Sequence, residues 1–340
     1  MMNYVDALEC SEPGTLRLVR RPAPVRQAGE ILVRPRRVGI CGTDYHIFEG
    51  KHPFLNYPRV MGHELAVEVM EAPEGSDFAA GDIAVVNPYL SCGTCIACRR
   101  GKPNCCTRIE VLGVHRDGGM TGMLSLPAAN LVRSEGLSLD ACAAVEFLAI
   151  GAHAVRRARM QTADRVLIVG AGPIGLGAAL FAARTGAALT IMDRDPERLS
   201  AATTMLGSVS SIVADAQSGA RIAELTAGDG YDIVLDATGN LQSIMAGFSS
   251  VAHGGTYVLV SVVKGEISFT DAEFHRREMS LLGSRNATTD DFATVIAAMR
   301  AGAIPIEALI THRTSLADAA DNLPRWAVQK QGLIKAVIEL

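Results

Sequence analysis

The sequence has no strong excess of charge and no long hydrophobic run, and both absences exclude classes of function. Its 340 residues carry a formal net charge of −4, which gives no electrostatic basis for binding nucleic acid or an anionic membrane surface. The strongest basic run, Arg34-Pro-Arg36-Arg37, is short and typical of a solvated strand edge. No apolar stretch is long enough to span a bilayer, and the first residues lack the apolar core of a signal peptide. We therefore expect a cytoplasmic protein without nucleic-acid or membrane partners.

Internal repeats and low-complexity linkers are also absent, so composition and motifs must indicate the organisation. With 49% hydrophobic and 20% charged residues, the chain is long enough to form two sizeable cores. It has eight cysteines, most of them at or beside the motifs described below. This distribution favours reduced thiols that bind metal, although disulfides within the Cys-x-x-Cys steps are the alternative interpretation.

A cluster of cysteines is the most informative feature that is present. Cys92-Gly-Thr-Cys95-Ile-Ala-Cys98 is followed by the pair Cys105-Cys106. Four thiols at such spacings can converge on one tetrahedral ion, and zinc forms closed structural sites of this kind. The sequence alone leaves Cys105 open as an alternative to Cys106 for the fourth ligand.

Candidates for a second, open metal site lie upstream of this cluster and downstream of it. A thiol occurs in Gly39-Ile-Cys41-Gly-Thr-Asp44, and an imidazole and a carboxylate occur in Gly62-His63-Glu64. All three groups are zinc ligands, and a site with few protein donors leaves a position for water or substrate. Glu146 is a further candidate. Each fragment alone is more typical of a buried thiol or a polar pair than of a metal site, so the prediction depends on their combination with the cysteine cluster.

A glycine-rich turn predicts dinucleotide binding. The apolar run Arg165–Val169 indicates a buried parallel strand, and Gly170-Ala-Gly172-Pro-Ile-Gly175 opens a helix after it. These glycines permit a tight turn, close approach of the backbone to a pyrophosphate, and helix–strand packing. A second strand ends in Asp193, whose carboxylate would accept hydrogen bonds from a ribose and repel a 2′-phosphate. NAD is therefore preferred to NADP, although Arg194 weakens this preference because a guanidinium can hold phosphate.

Strand and helix patterns divide the chain into three regions. Residues 1–148 contain short alternating strands separated by Gly and Pro. Residues 149–279 alternate strands and helices, a rhythm typical of a doubly wound parallel sheet. Residues 280–340, with a helix near 290–300 and a last strand near 333–339, should return to the first region. The apolar stretch 256–263 is suited either to extending a sheet across subunits or to a buried strand.

Together these motifs resemble the zinc-dependent medium-chain dehydrogenase/reductases, the superfamily of alcohol, sorbitol and threonine dehydrogenases, over essentially the full length. The segments 101–105, 111–119, 284–286 and 309–312 are most similar to the polyol and sugar-acid group, which includes L-galactonate 5-dehydrogenase-like proteins and starvation-sensing oxidoreductases. The resemblance implies an α/β plus β fold. It comprises a GroES-like β-barrel catalytic domain (1–148 and 280–340) with a structural zinc lobe near 88–110, and a Rossmann domain (149–279). A catalytic cleft between the domains and a homodimer or homotetramer are also implied.

The resemblance further implies roles for individual residues. Glu146 matches an acid that is either a distant zinc ligand or a partner of the zinc-bound water, where liver-type alcohol dehydrogenases have a second cysteine. Thr43 matches the hydroxyl of a proton relay, with His46 as a candidate further member. The implied sets are Cys41, His63 and Glu64 for the catalytic zinc; Cys92, Cys95, Cys98 and Cys106 for the structural zinc; and Gly170, Gly172, Pro173, Ile174, Gly175, Asp193, Arg194 and Arg198 for the cofactor.

The expected reaction is hydride transfer from a secondary alcohol of a polyol or sugar acid, L-galactonate- or L-idonate-like, to NAD⁺. Two zinc ions per chain are expected, one catalytic and one structural. Arg285 is a candidate for binding a substrate carboxylate bidentately, and His115 is a second substrate candidate. The alternatives are that Arg285 contacts a cofactor phosphate or a structural carbonyl, and that His115 is an ordinary loop histidine. A threonine-type amino-alcohol dehydrogenase and a non-catalytic NAD-binding regulatory protein are the competing functions.

Overall fold

Two units make up the chain in the structure, a computed structural model that describes residues 4–52 and 55–340. One unit comprises Met1–Phe147 with Thr288–Leu340, and the other comprises Leu148–Ala287. Within the described residues, no helix has the length and apolar character needed to cross a membrane.

The first 158 residues are mainly strands, because apolar and polar residues alternate between glycine and proline turns. Three α-helices interrupt them: α1 (Gly42–Phe48), α2 (Ile96–Arg99) and α3 (Leu139–Ala158). The strands are β1 (Tyr4–Glu12), β2 (Thr15–Pro22), β3 (Glu30–Ile40), β4 (Arg59–Val60), β5 (Glu64–Glu71), β6 (Ile83–Val86), β7 (Tyr89–Leu90), β8 (Glu110–Val111), β9 (Leu124–Pro127) and β10 (Leu131–Arg133).

Strands and helices alternate in the middle of the chain. The strands are β11 (Arg165–Val169), β12 (Ala188–Asp193), β13 (Ser210–Val213), β14 (Tyr231–Asp236), β15 (Val251–Leu259) and β16 (Ser280–Gly283). The helices are α4 (Pro173–Ala183), α5 (Pro196–Leu206), α6 (Ser218–Thr226), α7 (Leu241–Gly247) and α8 (Asp271–Arg276). The last part contains α9 (Thr289–Arg300), α10 (Ile306–Leu309), β17 (Ile310–Ser315), α11 (Ala319–Val328) and β18 (Lys335–Glu339).

The C-terminal strands complete the main sheet of the first unit. This sheet has the order β10-β6-β5-β3-β18-β17, and β9 also pairs with β3. β18 is antiparallel to β3, with Ala336 opposite Ile40, so residues from the two ends of the sequence are hydrogen-bonded neighbours. Smaller sheets of the orders β2-β1-β4 and β7-β8 accompany it. The return of the C-terminal segment to the first unit therefore takes the form of strand pairing.

The second unit is a six-stranded sheet with the order β13-β12-β11-β14-β15-β16. All its pairings are parallel, and this order is that of a doubly wound dinucleotide-binding fold. The predicted parallel sheet is thus confirmed. β15 begins at Val251, five residues before the apolar stretch 256–263, and it includes Gly254 and Gly255 beside an irregular register.

β15 pairs with strands on both sides, so the first part of the stretch 256–263 belongs to an interior strand, and β16 lies at this edge of the sheet.

Each unit has its own apolar core. In the first, α11 packs Leu323 and Trp326 against strand residues such as Leu8 and Leu65. In the second, Tyr257 packs with buried residues of the central strands.

A close helix contact in the second unit gives a stability prediction. A Cβ atom at Gly151 of α3 would lie 2.4 Å from the backbone nitrogen of Ala178 in α4. We expect Gly151→Ala to lower the free energy of unfolding by about 1–3 kcal/mol through overpacking, measured by urea denaturation. The matched control is Gly219→Ala in α6, where a Cβ meets nothing within 4 Å and where alanine favours the helix. Equal effects of the two substitutions would contradict the prediction.

Candidate active site and metal centres

The ends of two neighbouring strands bring a thiol, an imidazole and a carboxylate together. β3 and β5 are antiparallel with Gly39 opposite Glu64, so the residues just beyond these positions are close in space. Cys41 follows β3 and is the N-cap of α1, whereas His63 precedes β5 and Glu64 is its first residue. Candidate ligand atoms of Cys41, His63 and Glu64 all lie within 4.8 Å of one another. The structure therefore gathers the three predicted ligands at one point, hereafter the strand-end site.

Gly39 provides the space for this arrangement. A Cβ atom at position 39 would lie 2.1 Å from Oε2 of Glu64 and 2.9 Å from its Cβ. Only a residue without a side chain lets the Glu64 carboxyl lie over β3.

The donor set of the strand-end site fits zinc. Cysteine sulfur, histidine nitrogen and carboxylate oxygen are the ligands that zinc takes in proteins, and three protein donors leave a position open. Nδ1 of His63 is buried and has no hydrogen-bond partner within the described part of the chain. A buried polar nitrogen of this kind is usually satisfied by a water molecule or an ion.

Glu146 lies on α3 and is not one of the three groups that converge within 4.8 Å. It is buried, and its carboxyl accepts a hydrogen bond from the buried hydroxyl of Tyr89. Burial raises the pKa of the Glu146 carboxyl; His63 opposes this shift and Glu64 adds to it. Tyr89 is itself anchored by its backbone carbonyl, which accepts from Nδ2 of Asn130 at 3.2 Å.

A second group of donors comes from the loop around α2. The sulfur atoms of four cysteines lie within 4.8 Å of one another, and Cys106 is the fourth member. Cys105 is exposed and is not part of the group. Backbone N–H groups of Cys92 and Arg108 each donate to the Cys106 sulfur at 3.3 Å. The Arg108 guanidinium lowers the pKa of the Cys92 thiol, which favours the thiolate that a metal requires. The full set is Cys92, Cys95, Cys98 and Cys106.

The glycine-rich turn joins β11 to α4 as the sequence pattern requires. Gly170 has a φ of +101°, and a Cβ at Gly175 would lie 1.7 Å from the carbonyl oxygen of Gly170. Pro173 and Ile174 open the helix. Asp193 ends β12, and its two oxygens accept from the backbone nitrogens of Ala171 at 2.7 Å and Asp195 at 2.9 Å. The carboxylate is thereby fixed beside the turn.

The remaining predicted residues lie in several places. On α1, Thr43 is half-buried and His46 is exposed. His115 is exposed, and its Nδ1 accepts a hydrogen bond from the backbone nitrogen of Val111 at 3.1 Å. In the second unit, Arg194 is exposed and Arg198 lies 3.7 Å from the Asp195 carboxylate. Arg285 is exposed in the segment after β16.

Comparison with known proteins identifies the family. Residues 27–136 match the alcohol dehydrogenase GroES-like domain, and residues 173–301 match the zinc-binding dehydrogenase family. The chain is 40% identical over 338 residues, 99% of each chain, to L-galactonate-5-dehydrogenase of Escherichia coli (strain K12). It belongs to the zinc-dependent medium-chain alcohol dehydrogenases. The chain is therefore an oxidoreductase that acts on CH–OH groups, and the predicted GroES-like and Rossmann fold is confirmed.

Two further relatives place this dehydrogenase within the family. The 2-dehydro-3-deoxy-L-galactonate 5-dehydrogenase of Pseudoalteromonas atlantica is 30% identical over 316 residues, 92% of each chain. The crystal structure of an alcohol dehydrogenase (rspB) from E. coli CFT073 in complex with NADH has a TM-score of 0.93 at 28% identity. That alignment covers 99% of this chain and 100% of the other.

Asp44 is a part of the strand-end site to which the sequence motif assigned no role. It is fully buried, and its carboxylate accepts from the backbone nitrogen of Cys41 at 2.8 Å and from that of Gly62 at 3.3 Å. One side chain thus links the backbone segments that carry Cys41 and His63. Burial raises the pKa of the Asp44 carboxyl, and the nearby His63 opposes that shift.

The neighbours of His63 also determine the pKa of its ring. Burial by itself lowers the pKa of the His63 ring, but the Cys41 thiol and the Asp44 carboxylate outweigh burial and raise it well above its usual value. Because a metal binds the neutral ring, a metal ion at the strand-end site would displace a proton, and its binding would be weaker at lower pH.

A glycine-rich segment supports the backbone next to His63. A Cβ at Gly118 would lie 2.2 Å from the carbonyl oxygen of Gly62, and Gly113 is in similarly close contact with Gly62. The backbone nitrogen of Gly119 donates to the same Gly62 oxygen at 2.8 Å. His115 lies in this segment, whose glycines pack against the backbone that precedes His63.

Sequence reasoning missed three side chains at the strand-end site: Asp44, Tyr89 and Lys335. Asp44 lay inside a quoted motif, and its position three residues after Cys41 is typical of a capping box. Tyr89 and Lys335 had no local signal, because Tyr89 bonds to a residue 57 positions away and Lys335 to one 271 positions away.

We expect Asp44→Ala to lower the stability of the metal-free protein. The substitution leaves two buried backbone N–H groups without acceptors, at about 1–3 kcal/mol for each donor. Urea denaturation should show this loss, whereas Asp290→Ala, at an exposed first-turn position of α9, should change stability by less than about 0.5 kcal/mol. A loss no larger than that of the control would show that the two bonds do not hold the site together.

Proposed function

We propose that this dehydrogenase oxidises a secondary alcohol of a sugar acid or polyol, L-galactonate- or L-idonate-like, with NAD⁺ as the hydride acceptor. The observation that carries the proposal is the convergence of Cys41, His63 and Glu64 within 4.8 Å in a chain of this family. The 40% identity to an L-galactonate-5-dehydrogenase across 99% of both chains supports the substrate class.

Cys41, His63 and Glu64 would hold a catalytic zinc ion, and the four cysteines around α2 a structural one. When bound, the catalytic ion supplies a Lewis acid that lowers the pKa of a substrate hydroxyl. Asp44 keeps the backbone at Cys41 and Gly62 in place, so the donors remain ordered. Glu146, held by Tyr89, adds negative charge beside the site without joining the three donors.

Residues of α1 accept the proton that the substrate hydroxyl loses. Thr43 is half-buried, two residues after Cys41, and can accept the proton and pass it on. His46 lies three residues further along the same helix, so both side chains are on one face. His46 is exposed and can exchange the proton with water.

NAD is the proposed cofactor, and NADP is less favoured. Asp193 places a fixed negative charge beside the glycine turn, where it would accept from ribose hydroxyls and repel a 2′-phosphate. Arg198 favours phosphate binding at the glycine turn, because its guanidinium is 4.0 Å from a Cβ position on Gly172. It carries positive charge for the pyrophosphate, with Arg194 exposed nearby in sequence.

Arg285 is the proposed carboxylate-binding group, because an exposed guanidinium can bind a sugar-acid carboxylate with two hydrogen bonds.

We also propose a homodimer formed along β16, an edge strand of the parallel sheet, where Leu281 is 36% exposed. Within the described residues β16 pairs on one side only, and an edge strand of this kind with an exposed apolar residue is suited to pairing with a second copy.

The proposed reaction is tested by NADH production from aldonates, polyols and threonine with zinc-replete protein. We expect turnover of one aldonate or polyol stereochemical series, loss of turnover in zinc-stripped protein, and no turnover by Cys41→Ala, which should still bind NAD. The control Cys142→Ala removes a buried thiol outside both cysteine sets and should retain activity. Turnover of threonine alone would favour an amino-alcohol dehydrogenase. Turnover by metal-checked Cys41→Ala would refute the catalytic assignment.

We expect Cys95→Ser to remove the structural zinc. The variant should bind one zinc ion fewer per chain and melt at a lower temperature, because a closed metal site crosslinks its loop. Cys105→Ser, at the exposed neighbour of Cys106, should keep the full zinc count. Metal analysis and thermal denaturation of both variants check this. The opposite pattern would make Cys105 the fourth ligand.

A further inference from the structure

Lys335 places a buried ammonium group at the strand-end site. From the start of β18, its Nζ lies 2.7 Å and 2.8 Å from the two carboxylate oxygens of Glu64. It also donates to the carbonyl oxygen of Ile40 at 3.2 Å and lies 4.4 Å from the ring centre of Phe147. The Lys335 side chain is 2% exposed and that of Glu64 is 0% exposed. This contact set satisfies the donors of an ammonium group without water.

Strand pairing fixes the position of this lysine. β18 is antiparallel to β3 with Ala336 opposite Ile40, so the same register continued by one residue brings Lys335 next to Cys41. On its other side β18 pairs with β17. A side chain that leaves an interior strand of a sheet is held more precisely than one on a loop.

The side chains around Lys335 at the strand-end site are mainly acidic. Asp44, Glu64 and Glu146 are buried acids, and Cys41 binds metal as a thiolate. Lys335 is the only lysine or arginine that is buried among residues 4–52 and 55–340. A buried ion pair is a weak source of stability compared with an apolar pair of similar volume, so folding alone gives little reason for this one.

We propose that Lys335 is a positioning residue that limits how strongly Glu64 binds the catalytic zinc ion. Both Glu64 oxygens accept from the ammonium group, so each has less electron density to give to a metal. The ammonium group also repels a divalent cation at the same site. Both effects weaken zinc binding and leave the ion a stronger electrophile toward a hydroxyl group. The inference rests on the catalytic zinc site of the proposed function.

The test is the rate at which a chelator removes zinc from the purified holoenzyme. Protein with two zinc ions should release them in two phases, and the phase that is missing in Cys41→Ala belongs to the strand-end site. In Lys335→Met we expect this phase to slow by about 10–100-fold, the scale on which partners of metal ligands change metal affinity. The direction is opposite to that of a partner that strengthens its ligand, because the ammonium group competes with the metal for the Glu64 oxygens. The phase of the four-cysteine site should be unchanged and serves as an internal reference.

Further variants separate this effect from a loss of folding. Lys335→Gln keeps a hydrogen-bond donor but removes the charge, and it should also slow zinc release from the strand-end site, as Lys335→Met does. In a Glu64→Gln background, adding Lys335→Met should no longer slow release, because the group through which Lys335 acts is gone. The exposed Lys330→Met is the matched control and should behave as the wild type.

The outcomes distinguish this inference from the proposed function. Unchanged or faster release in both Lys335 variants, with two zinc ions in the wild type, overturns the role of Lys335 alone. Equal slowing with and without Glu64 also overturns it, because Lys335 would then act independently of that carboxylate. A wild-type protein with zinc only at the four cysteines overturns both proposals.

Discussion

The concentration of buried negative charge at the strand-end site is the constraint on which the first unit depends. Asp44, Glu64 and Glu146 are buried in the interior of a β domain, where isolated charges are costly, and the half-buried Cys41 lies beside them. Each acid has a partner of a different kind: two backbone N–H groups for Asp44, a tyrosine hydroxyl for Glu146, and the Lys335 ammonium for Glu64. A site for a divalent cation can therefore exist inside the fold without unpaired carboxylates.

The partners of the strand-end site come from distant parts of the chain because antiparallel pairing brings strand ends together. β3 lies between β5 and β18 in the sheet. The donors from the N-terminal half and a lysine near the C-terminus therefore lie together where these neighbouring strands end. Glycine makes the contact close: Gly39 admits the Glu64 carboxyl, and Gly118 lets a supporting segment approach Gly62. Backbone geometry and charge pairing thus act on the same few residues.

The two units divide the chemistry of this dehydrogenase. The candidate ligands of both metal sites lie in the first unit, and the glycine turn with Asp193 lies in the second. Within the first unit the two candidate metal sites differ in kind. Four cysteines would form a closed set around an ion, whereas the three mixed donors of the strand-end site would leave a position open on it. In the proposed function, one ion stabilises a loop and the other activates a hydroxyl group.

The sequence by itself determined the family, the Rossmann sheet and the candidate ligands, because these depend on short-range patterns. The Cys-x-x-Cys steps, the glycine turn and the alternation of strands and helices each occupy a few adjacent residues. The tertiary structure placed Cys106, the cysteine that the family resemblance implied, with the other three thiols, and it alone brought Tyr89 and Lys335 to the buried acids. Those contacts join residues up to 271 positions apart, and no local pattern records which strands become neighbours.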